Sequence, residues 1–402
     1  MESKLAIHGG KPIRTSILQY GKQTIEQCDK DAIIGVLDEN NYLTTGPKVI
    51  EFENKCKEFC GAKYALAVNS GTAALHCATY ALNLQKNDEV IVSGISFVAS
   101  ANCIVYCGAT PIFCDIENNT MNIDPDKIEA LITTKTKAII CVDFAGQLCN
   151  YEKIKDIAVK YNLFIIQDAA HSWGTEYNNK FVGNMSDITA LSFHPVKNMT
   201  TCEGGMIVTN NEELYNKMKI FRQHGINIDY KERDKTNQLS ALMTQLGYNY
   251  RIPDILCALG ISQLERLPIW IKQRNEIANL YNTYINKLNN EFGNTIIQSL
   301  TQKYPSAYHI YVVKLNLTEL KVDRKTIFNA MKAEGIGVNV HYLPIHLHPF
   351  YKDNFNTFIG QLPNAESVYE SIITLPLYPT MKNKDIVDVI LALKKVIQYY
   401  LL

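Results

Sequence analysis

A lysine and an aspartate in two different segments have the residue types needed for chemistry on a carbonyl group. Lys197 lies in a glycine-containing connection between two apolar runs that are typical of buried strands. A lysine there is either a solvated loop charge or a desolvated amine that can form a Schiff base. Asp168 ends another apolar run, where a buried acid needs a partner, although it could also cap a following helix.

Pyridoxal phosphate is a cofactor that would use both residues. Its aldehyde needs a lysine such as Lys197, and its pyridine nitrogen needs a carboxylate such as Asp168 to stay protonated. Hydroxyls and backbone N–H groups at a helix N-terminus are expected to bind its phosphate. The candidates for this cradle are Ser70, Gly71, Thr72 and Ser192. Many Ser-Gly-Thr turns, however, are simple helix caps, so this motif alone is weak.

Two rings lie near these segments and could contact the same cofactor. Phe97 follows a strand and a short turn, and it could stack on the cofactor ring or be an ordinary core residue. His171, three residues after Asp168, could hydrogen-bond the cofactor's phenolic oxygen or stack near it. A core histidine with satisfied ring nitrogens is the alternative for His171.

Short apolar runs alternate with helical patterns through the first half of the chain. The runs span residues 64–68, 89–92, 110–115, 137–143, 163–168, 187–191 and 206–209. Near-continuous apolar strands of this length indicate a mostly parallel sheet that is covered on both faces, and hence an α/β fold. Ligands bind beyond the carboxyl ends of such strands, so Ser70, Asp168 and Ser192 should face one crevice.

The chain is divided into an irregular N-terminal arm, a large domain and a smaller C-terminal α/β domain. The predicted bounds are 1–24, 25–265 and 266–402. The boundary falls in a long helical stretch that begins at Asp254 and is expected to break at Pro268.

Two further segments are predicted from their local patterns. The C-terminal part should alternate strands and helices, with strands at 308–315 and 337–342. The polar stretch 225–240 is predicted to be a mobile loop.

The composition is that of an ordinary globular enzyme. The 402 residues include 40 basic and 40 acidic side chains, so no charge excess favours a nucleic-acid ligand. No run approaches the ~18 apolar residues that span a bilayer, and no signal peptide is recognisable, so we expect neither membrane contact nor export. Eleven dispersed cysteines without paired spacing indicate reduced thiols in a cytoplasmic protein and no metal site.

Five blocks of sequence, in order, resemble the DegT/DnrJ/EryC1/StrS family of sugar aminotransferases. They are 69–75 (NSGTAAL), 168–171 (DAAH), 192–205 (SFHPVKNMTTCEGG), 246–251 (LGYNYR) and 340–344 (VHYLP). The resemblance covers about residues 20 to 395 and implies the aspartate-aminotransferase-like, type I PLP fold. Cys202 stands where Gly or Ala is frequent. Sugar 3-dehydratases of this family carry His in place of the lysine, so Lys197 favours transamination.

The same resemblance implies a homodimer whose two active sites are each built from both subunits. Asn249 would then reach the partner's cofactor phosphate, whereas the residues alone indicate an ordinary loop asparagine. The expected amino donor is L-glutamate, and Lys197 would carry protons in both halves of the reaction.

The amino acceptor implied by the resemblance is a nucleotide-linked 4-keto-6-deoxyhexose, aminated at C4. We favour a UDP sugar and a 4-amino-4,6-dideoxy product used in surface glycans. The candidate substrate-binding residues are Tyr20, Tyr42, Leu43, Thr44, His341 and Tyr342. For Tyr20 and Tyr42, packing in a core or an interface is the alternative.

Two other functions are alternatives. A 3-keto nucleotide-sugar aminotransferase would share every cofactor residue, and only its substrates would distinguish it. A non-catalytic family member with a regulatory or interaction role would not need Lys197 and Asp168, both of which are present.

Overall fold

The computed structural model describes residues 4–39, 42–227 and 240–402. These residues form a seven-stranded sheet, a three-stranded sheet and a two-stranded ribbon. Residues 228–239, most of the stretch predicted to be a mobile loop, lie outside the described residues. No helix in the described ranges is long and apolar enough to cross a membrane.

The large sheet and the ribbon are built from the first nine strands. They are β1 (Tyr64–Val68), β2 (Glu89–Ser93), β3 (Thr110–Cys114), β4 (Thr136–Val142), β5 (Phe164–Asp168), β6 (Glu176–Tyr177), β7 (Lys180–Phe181), β8 (Ile188–Ser192) and β9 (Gly205–Thr209). The sheet order is β1-β9-β8-β5-β4-β2-β3, and β6 pairs with β7 in the ribbon. In the large sheet β9 is antiparallel to β1 and β8, and the remaining pairs are parallel, which confirms the predicted mostly parallel sheet.

Helices cover this sheet because its central strands are buried on both faces. They are α1 (Gln27–Glu39), α2 (Pro47–Cys60), α3 (Gly71–Ala81), α4 (Ala99–Tyr106), α5 (Pro125–Ile128), α6 (Tyr151–Tyr161) and α7 (Glu212–Arg222). Polar caps set several starts: Asp124, Asn150 and Asn211 each accept a hydrogen bond from a backbone N–H in the first turn.

The helix predicted to break at Pro268 is continuous, so that prediction was wrong. Helix α8 spans Asp254–Phe292 with Pro268 inside it. Proline removes one backbone hydrogen bond from a helix, but buried packing on both sides holds this one together. Leu267 and Trp270 flank the proline within the core of the large sheet, and residues from Ile277 onward join the C-terminal core.

The C-terminal part contains the small sheet and four further helices. The strands are β10 (Ile297–Ser299), β11 (Tyr311–Leu315) and β12 (Ile372–Leu375), and the helices are α9 (Arg324–Ala333), α10 (Pro349–Phe355), α11 (Pro363–Ser371) and α12 (Asn383–Tyr400). The sheet is antiparallel, with β11 in the centre.

Two strand predictions for this part need correction. Strand β11 begins at Tyr311, not at residue 308, because Tyr308 has a positive φ of 45° that strands do not accommodate. The segment 337–342 is not a strand. Only Asn339 pairs there, with Thr374, after which the segment turns to line a cavity and loses its pairing partner.

The N-terminal arm packs on the C-terminal core through apolar and ionic contacts. Leu5 and Leu18 are buried in that core. The fully buried Glu334 accepts hydrogen bonds from the backbone N–H groups of Ala6 (2.8 Å) and Ile13 (3.1 Å). Lys395 Nζ lies 2.8 Å from the same carboxylate, so one acid fixes both the arm and α12.

We predict that Glu334→Ala will destabilise the protein by about 3–5 kcal/mol, because it leaves the largely buried Lys395 ammonium without its carboxylate and with only the Lys11 carbonyl as a partner among the described residues. Urea unfolding followed by circular dichroism measures this loss, and limited proteolysis should cut the arm earlier than in the wild type. Glu370→Ala, at an exposed glutamate of the same part of the chain, is the control and should change stability by less than about 0.5 kcal/mol. An unchanged urea midpoint for Glu334→Ala would contradict the arrangement.

Candidate active site

One cavity of about 580 Å³ opens at the carboxyl ends of β1, β5 and β8. The residues before helix α3, the last residue of β5 and the last residue of β8 all line it, so Ser70, Asp168 and Ser192 share one crevice. The candidates brought together there are Tyr20, Ser70, Gly71, Thr72, Phe97, Asp168, His171, Ser192, Lys197, His341 and Tyr342. A cavity of this size can enclose a small-molecule ligand.

Lys197 reaches this cavity from the turn that follows β8. Its backbone N–H donates to His194 O (2.9 Å), and the next side chain, Asn198, is buried and donates to the carbonyls of His171 and Trp173. Burial lowers the pKa of the Lys197 amine to about 8, and the negative charge of Asp168 opposes that decrease. The neutral amine, which is the form that attacks a carbonyl, is therefore far more populated near neutral pH than it is in an exposed lysine.

Asp168 ends β5 and is almost completely buried. Its carboxylate accepts hydrogen bonds from Ser100 Oγ (2.7 Å) and from the backbone N–H of Ala170 (3.2 Å). Burial raises its pKa, while these two donors and the Lys197 charge act in the opposite direction. The bond to Ala170 shows that local capping also occurs, but a carboxylate with two donors can still accept another.

The segment before α3 has the shape of an anion cradle. A Cβ atom on Gly71 would lie 2.7 Å from the Ser192 Cβ, so only glycine fits between the two segments. Ser70 Oγ accepts from the Ala73 N–H (3.0 Å), which means that this serine does act as a helix cap. Thr72 and Ser192 also line the cavity, and the helix dipole favours negative charge at this position.

Phe97 and His171 lie on the cavity wall in different environments. The Phe97 side chain is 58% exposed, so it is not a core residue, and its ring centroid lies 6.2 Å from that of Tyr342. His171 is buried, and its Nδ1 has no hydrogen-bond partner among the described residues. Its Nε2 lies 3.3 Å from the Tyr342 hydroxyl. Burial, with the Lys197 charge, lowers the His171 pKa well below its usual value.

Tyr20, His341 and Tyr342 form the side of the cavity next to the small sheet. The rings of Tyr20 and His341 are 5.5 Å apart, and His341 Nδ1 lies 2.8 Å from Thr374 Oγ1. Burial lowers the His341 pKa to about 4, so this imidazole is neutral at physiological pH.

Four predicted site residues are exposed and lie outside this cavity within one chain. They are Tyr42, Leu43, Thr44 and Asn249. Asp254 connects their two segments, since its carboxylate accepts from the Gly46 N–H (2.8 Å) and its own N–H donates to Leu43 O (3.0 Å).

Two further residues of the site were not predicted from the sequence: Ser100, which contacts Asp168, and the cavity-lining His309. Ser100 binds Asp168 from α4, and His309 lies against His171 from the segment before β11. His309 is separated from the motifs by long stretches of chain, and it falls within a run that was predicted to be a strand. Only the serine's position, three residues after Phe97, could have drawn attention to it.

The residues present fit pyridoxal phosphate. A half-buried lysine, a buried carboxylate with accepting capacity and an exposed aromatic face surround one space. A glycine-requiring cradle lies at a helix N-terminus, and the buried Nδ1 of His171 lacks a partner in the described part of the chain.

A known protein family matches nearly the whole chain. The model of the DegT/DnrJ/EryC1/StrS aminotransferase family matches residues 23–394. The chain belongs to this family.

Relatives of this aminotransferase include proteins with more specific names. It is 38% identical to UDP-4-amino-4,6-dideoxy-N-acetyl-beta-L-altrosamine transaminase of Campylobacter jejuni, over 92% of this chain and 94% of that one. It is 39% identical to spore coat polysaccharide biosynthesis protein SpsC of Bacillus subtilis, over 95% and 96%.

Solved structures of family members have the same fold. PseC of Helicobacter pylori, an aminotransferase involved in the biosynthesis of pseudoaminic acid, superposes with a TM-score of 0.86 at 33% identity, covering 96% of this chain and 100% of that one. The PLP form of the sugar aminotransferase Spr1654 of Streptococcus pneumoniae gives 0.86 at 29% identity, over 96% and 100%. The predicted type I PLP fold and the aminotransferase class are thus confirmed.

In this aminotransferase we predict that Asp168→Asn lowers the Lys197 pKa below about 8, because a negative charge that favours the ammonium form is removed. Ser100→Ala should act in the same direction but less, since it only favours protonation of Asp168. The measurement is the pH dependence of Lys197 labelling by an amine-reactive reagent in cofactor-free protein, read by peptide mass spectrometry. Labelling of the exposed Lys30 is the internal control. A rise of the Lys197 pKa in Asp168→Asn would refute this electrostatic account.

Proposed function

We propose that this aminotransferase depends on pyridoxal phosphate and transfers an amino group from L-glutamate to C4 of a UDP-linked 4-keto-6-deoxyhexose. The product would be a 4-amino-4,6-dideoxy sugar for glycan biosynthesis. The observation that carries the proposal is the single cavity in which Lys197 and Asp168 meet the Gly71 cradle. This arrangement has no evident use in a regulatory protein without catalysis.

Different residues of the cavity would bind different parts of the cofactor. Lys197 would bind its aldehyde carbon, Asp168 its pyridine nitrogen, and the N-terminus of α3 with Thr72 and Ser192 its phosphate. Phe97 and His171 would contact its ring. Bound there, the cofactor supplies an electron sink that stabilises negative charge on a neighbouring carbon.

Lys197 has the properties of the group that moves protons during the reaction. Its amine is half-buried, and its lowered pKa of about 8 lets it both accept and release a proton near neutral pH. In the first half-reaction Lys197 Nζ would take the proton from the α-carbon of glutamate. In the second it would deliver a proton to C4 of the sugar. During both half-reactions the negative charge of Asp168 would keep the cofactor's pyridine nitrogen protonated.

The acceptor is proposed from the relatives and from the far wall of the cavity. The Campylobacter jejuni relative is named as a transaminase for a UDP-linked 4-amino-4,6-dideoxy sugar, which supports both UDP and C4. Tyr20, His341 and Tyr342 offer two hydroxyls and a neutral imidazole to the polar groups of a sugar. A 3-keto nucleotide sugar would meet the same cofactor residues, so substrate assays must separate the two.

The decisive test is a panel of UDP- and dTDP-linked 4-keto and 3-keto sugars, each with L-glutamate and pyridoxal phosphate. Mass spectrometry should show replacement of the keto oxygen by an amino group on a UDP-4-keto-6-deoxy sugar. Lys197→Ala should lose this activity by at least ~10³-fold and lose the visible absorption band of the bound cofactor, whereas the exposed-site control Lys180→Ala should keep both. Activity on 3-keto sugars alone would overturn the C4 assignment.

We also propose that the active unit is a homodimer in which Asn249 completes the partner subunit's site. Asn249 is exposed, as are Tyr42, Leu43 and Thr44. Asp254, five residues after Asn249, hydrogen-bonds to the segment that contains these three residues. The backbone of Asn249 is itself fixed, because its carbonyl accepts from the Asn69 side chain (3.3 Å). A rigid, exposed pair of segments next to the cavity-forming strand β1 is suited to contacting a second copy.

Mixed dimers test this sharing directly. Lys197→Ala and Asn249→Ala subunits should each be impaired alone. If Asn249 acts across the interface, a heterodimer has one intact site, so an equimolar mixture should recover about a quarter of the wild-type activity. Co-refolding the two variants and assaying the mixture measures this recovery. No recovery, with heterodimers verified by native mass spectrometry, would place Asn249 in its own subunit's site, whereas full activity of the Asn249→Ala protein alone would place it outside both sites.

A further inference from the structure

Two buried imidazoles lie against each other at the base of the cavity. His171 and His309 are each 5% exposed, and their ring centroids are 4.3 Å apart with an interplanar angle of 41°. The other rings near His171 are more distant: Tyr342 lies at 6.2 Å and Phe144 at 6.4 Å. His309 is thus its nearest ring among the residues that the structure describes.

The chain holds His309 in place with a buried cation. Arg274 is 2% exposed, and its Nη1 donates to the carbonyls of Tyr308 and His309, each at 3.2 Å. The His309 N–H donates in turn to Ala145 O (3.0 Å). Burial lowers the Arg274 pKa only to about 10, so the charge is retained at neutral pH. A buried charge is costly, and here it fixes the backbone of one residue facing the cavity.

Hydrogen bonds alone do not fix the ring of His171. Its Nδ1 and that of His309 both lack partners among the described residues, and its Nε2 has one long contact, 3.3 Å to the Tyr342 hydroxyl. A buried nitrogen without a hydrogen bond is unfavourable, so this ring orientation must be maintained by packing. The flat face of His309 supplies the closest such packing.

Both rings are also kept neutral by the same surroundings. Burial lowers both pKa values well below the usual value, and the charge of Lys197 adds to this effect at each ring. Arg274 and His341 act in the same direction on His309.

We infer that His309 is a positioning residue, which acts by fixing the plane of the His171 ring beside the cofactor. The inference rests on the proposed function, because it assumes that pyridoxal phosphate occupies the cavity. His309 acts through ring packing, so another flat ring at this position should replace it, while a branched side chain should not.

The test compares His309→Phe with His309→Leu, each in the wild-type and in the His171→Asn background. The measured quantities are the dissociation constant for pyridoxal phosphate and the pH midpoint of the bound cofactor's visible band. We expect His309→Leu to weaken cofactor binding by about tenfold and to shift the midpoint, and His309→Phe to stay within about threefold of wild type. In the His171→Asn background, His309→Leu should have no further effect.

The control is His346→Gln, which removes another buried imidazole that binds Glu366 outside the cavity. It should leave the cofactor spectrum unchanged. A wild-type spectrum and affinity for His309→Leu, or an equal effect in both backgrounds, would overturn the inference. If the wild-type protein itself bound no cofactor, the proposed function would fail instead. In that case NMR of the histidine rings in the cofactor-free protein still tests the contact between His171 and His309. His309→Leu should change the His171 ring signals, and His309→Phe should preserve them.

Discussion

Removing the Lys197 amine from water is the constraint on which the rest of the site depends. Burial lowers its pKa, and the charge that opposes this effect is the carboxylate of Asp168. The two groups must therefore be close and both sheltered. Strands β5 and β8 meet this requirement because they are adjacent and parallel, with Asp168 paired to Ala190 and the Ala169 N–H bonded to Ala190 O (2.9 Å). The register of one strand pair thus sets the electrostatics of the site.

A second buried acid shows how a structural carboxylate differs from a functional one. Asp143 accepts hydrogen bonds from Ser172 Oγ (2.6 Å), Gln167 Nε2 (2.6 Å), the Cys149 N–H and the Tyr151 hydroxyl. Burial raises its pKa to about 6, and its four donors use its accepting capacity. Asp168 has two donors and faces the cavity. Asp143, which joins the end of β4 to the segment after β5, therefore has all its hydrogen bonds within the protein. Asp168 can still accept a hydrogen bond from a ligand.

The sequence predicted the large sheet well because the signal there is local. Uninterrupted apolar runs gave strands within one or two residues of those observed, and the position of Asp168 and Ser192 at strand ends followed from them. The helix through Pro268 was misjudged because its continuity depends on packing along both halves, which a local pattern does not contain. The prediction of a strand at 337–342 was wrong for a similar reason. Its alternating apolar pattern is typical of a strand, but the fold gives the segment no neighbouring strand beyond the single pair of Asn339 with Thr374.

The site was only partly predictable for the same physical reason. Residues within motifs, such as Lys197 and Gly71, carry their signal in neighbouring residues. Ser100 and His309 reach Asp168 and His171 from distant parts of the chain, so their contribution depends on tertiary contacts. Arg274 is the extreme case, because a buried arginine that binds backbone carbonyls has no sequence pattern at all.

The two sides of the cavity are anchored to different sheets, and under the proposed function this separates the residues of the chemistry from those that contact the sugar. Lys197 and Asp168 belong to the large sheet. The opposite side is tied to the C-terminal part, where the Leu377 N–H donates to Tyr20 O (3.0 Å) and Asn339 pairs with Thr374 just before His341. Changes in the small sheet would thus move Tyr20 and His341 before they disturbed the β5–β8 register. Under the proposed function, the wall that contacts the sugar can therefore change while the lysine and its carboxylate stay in place.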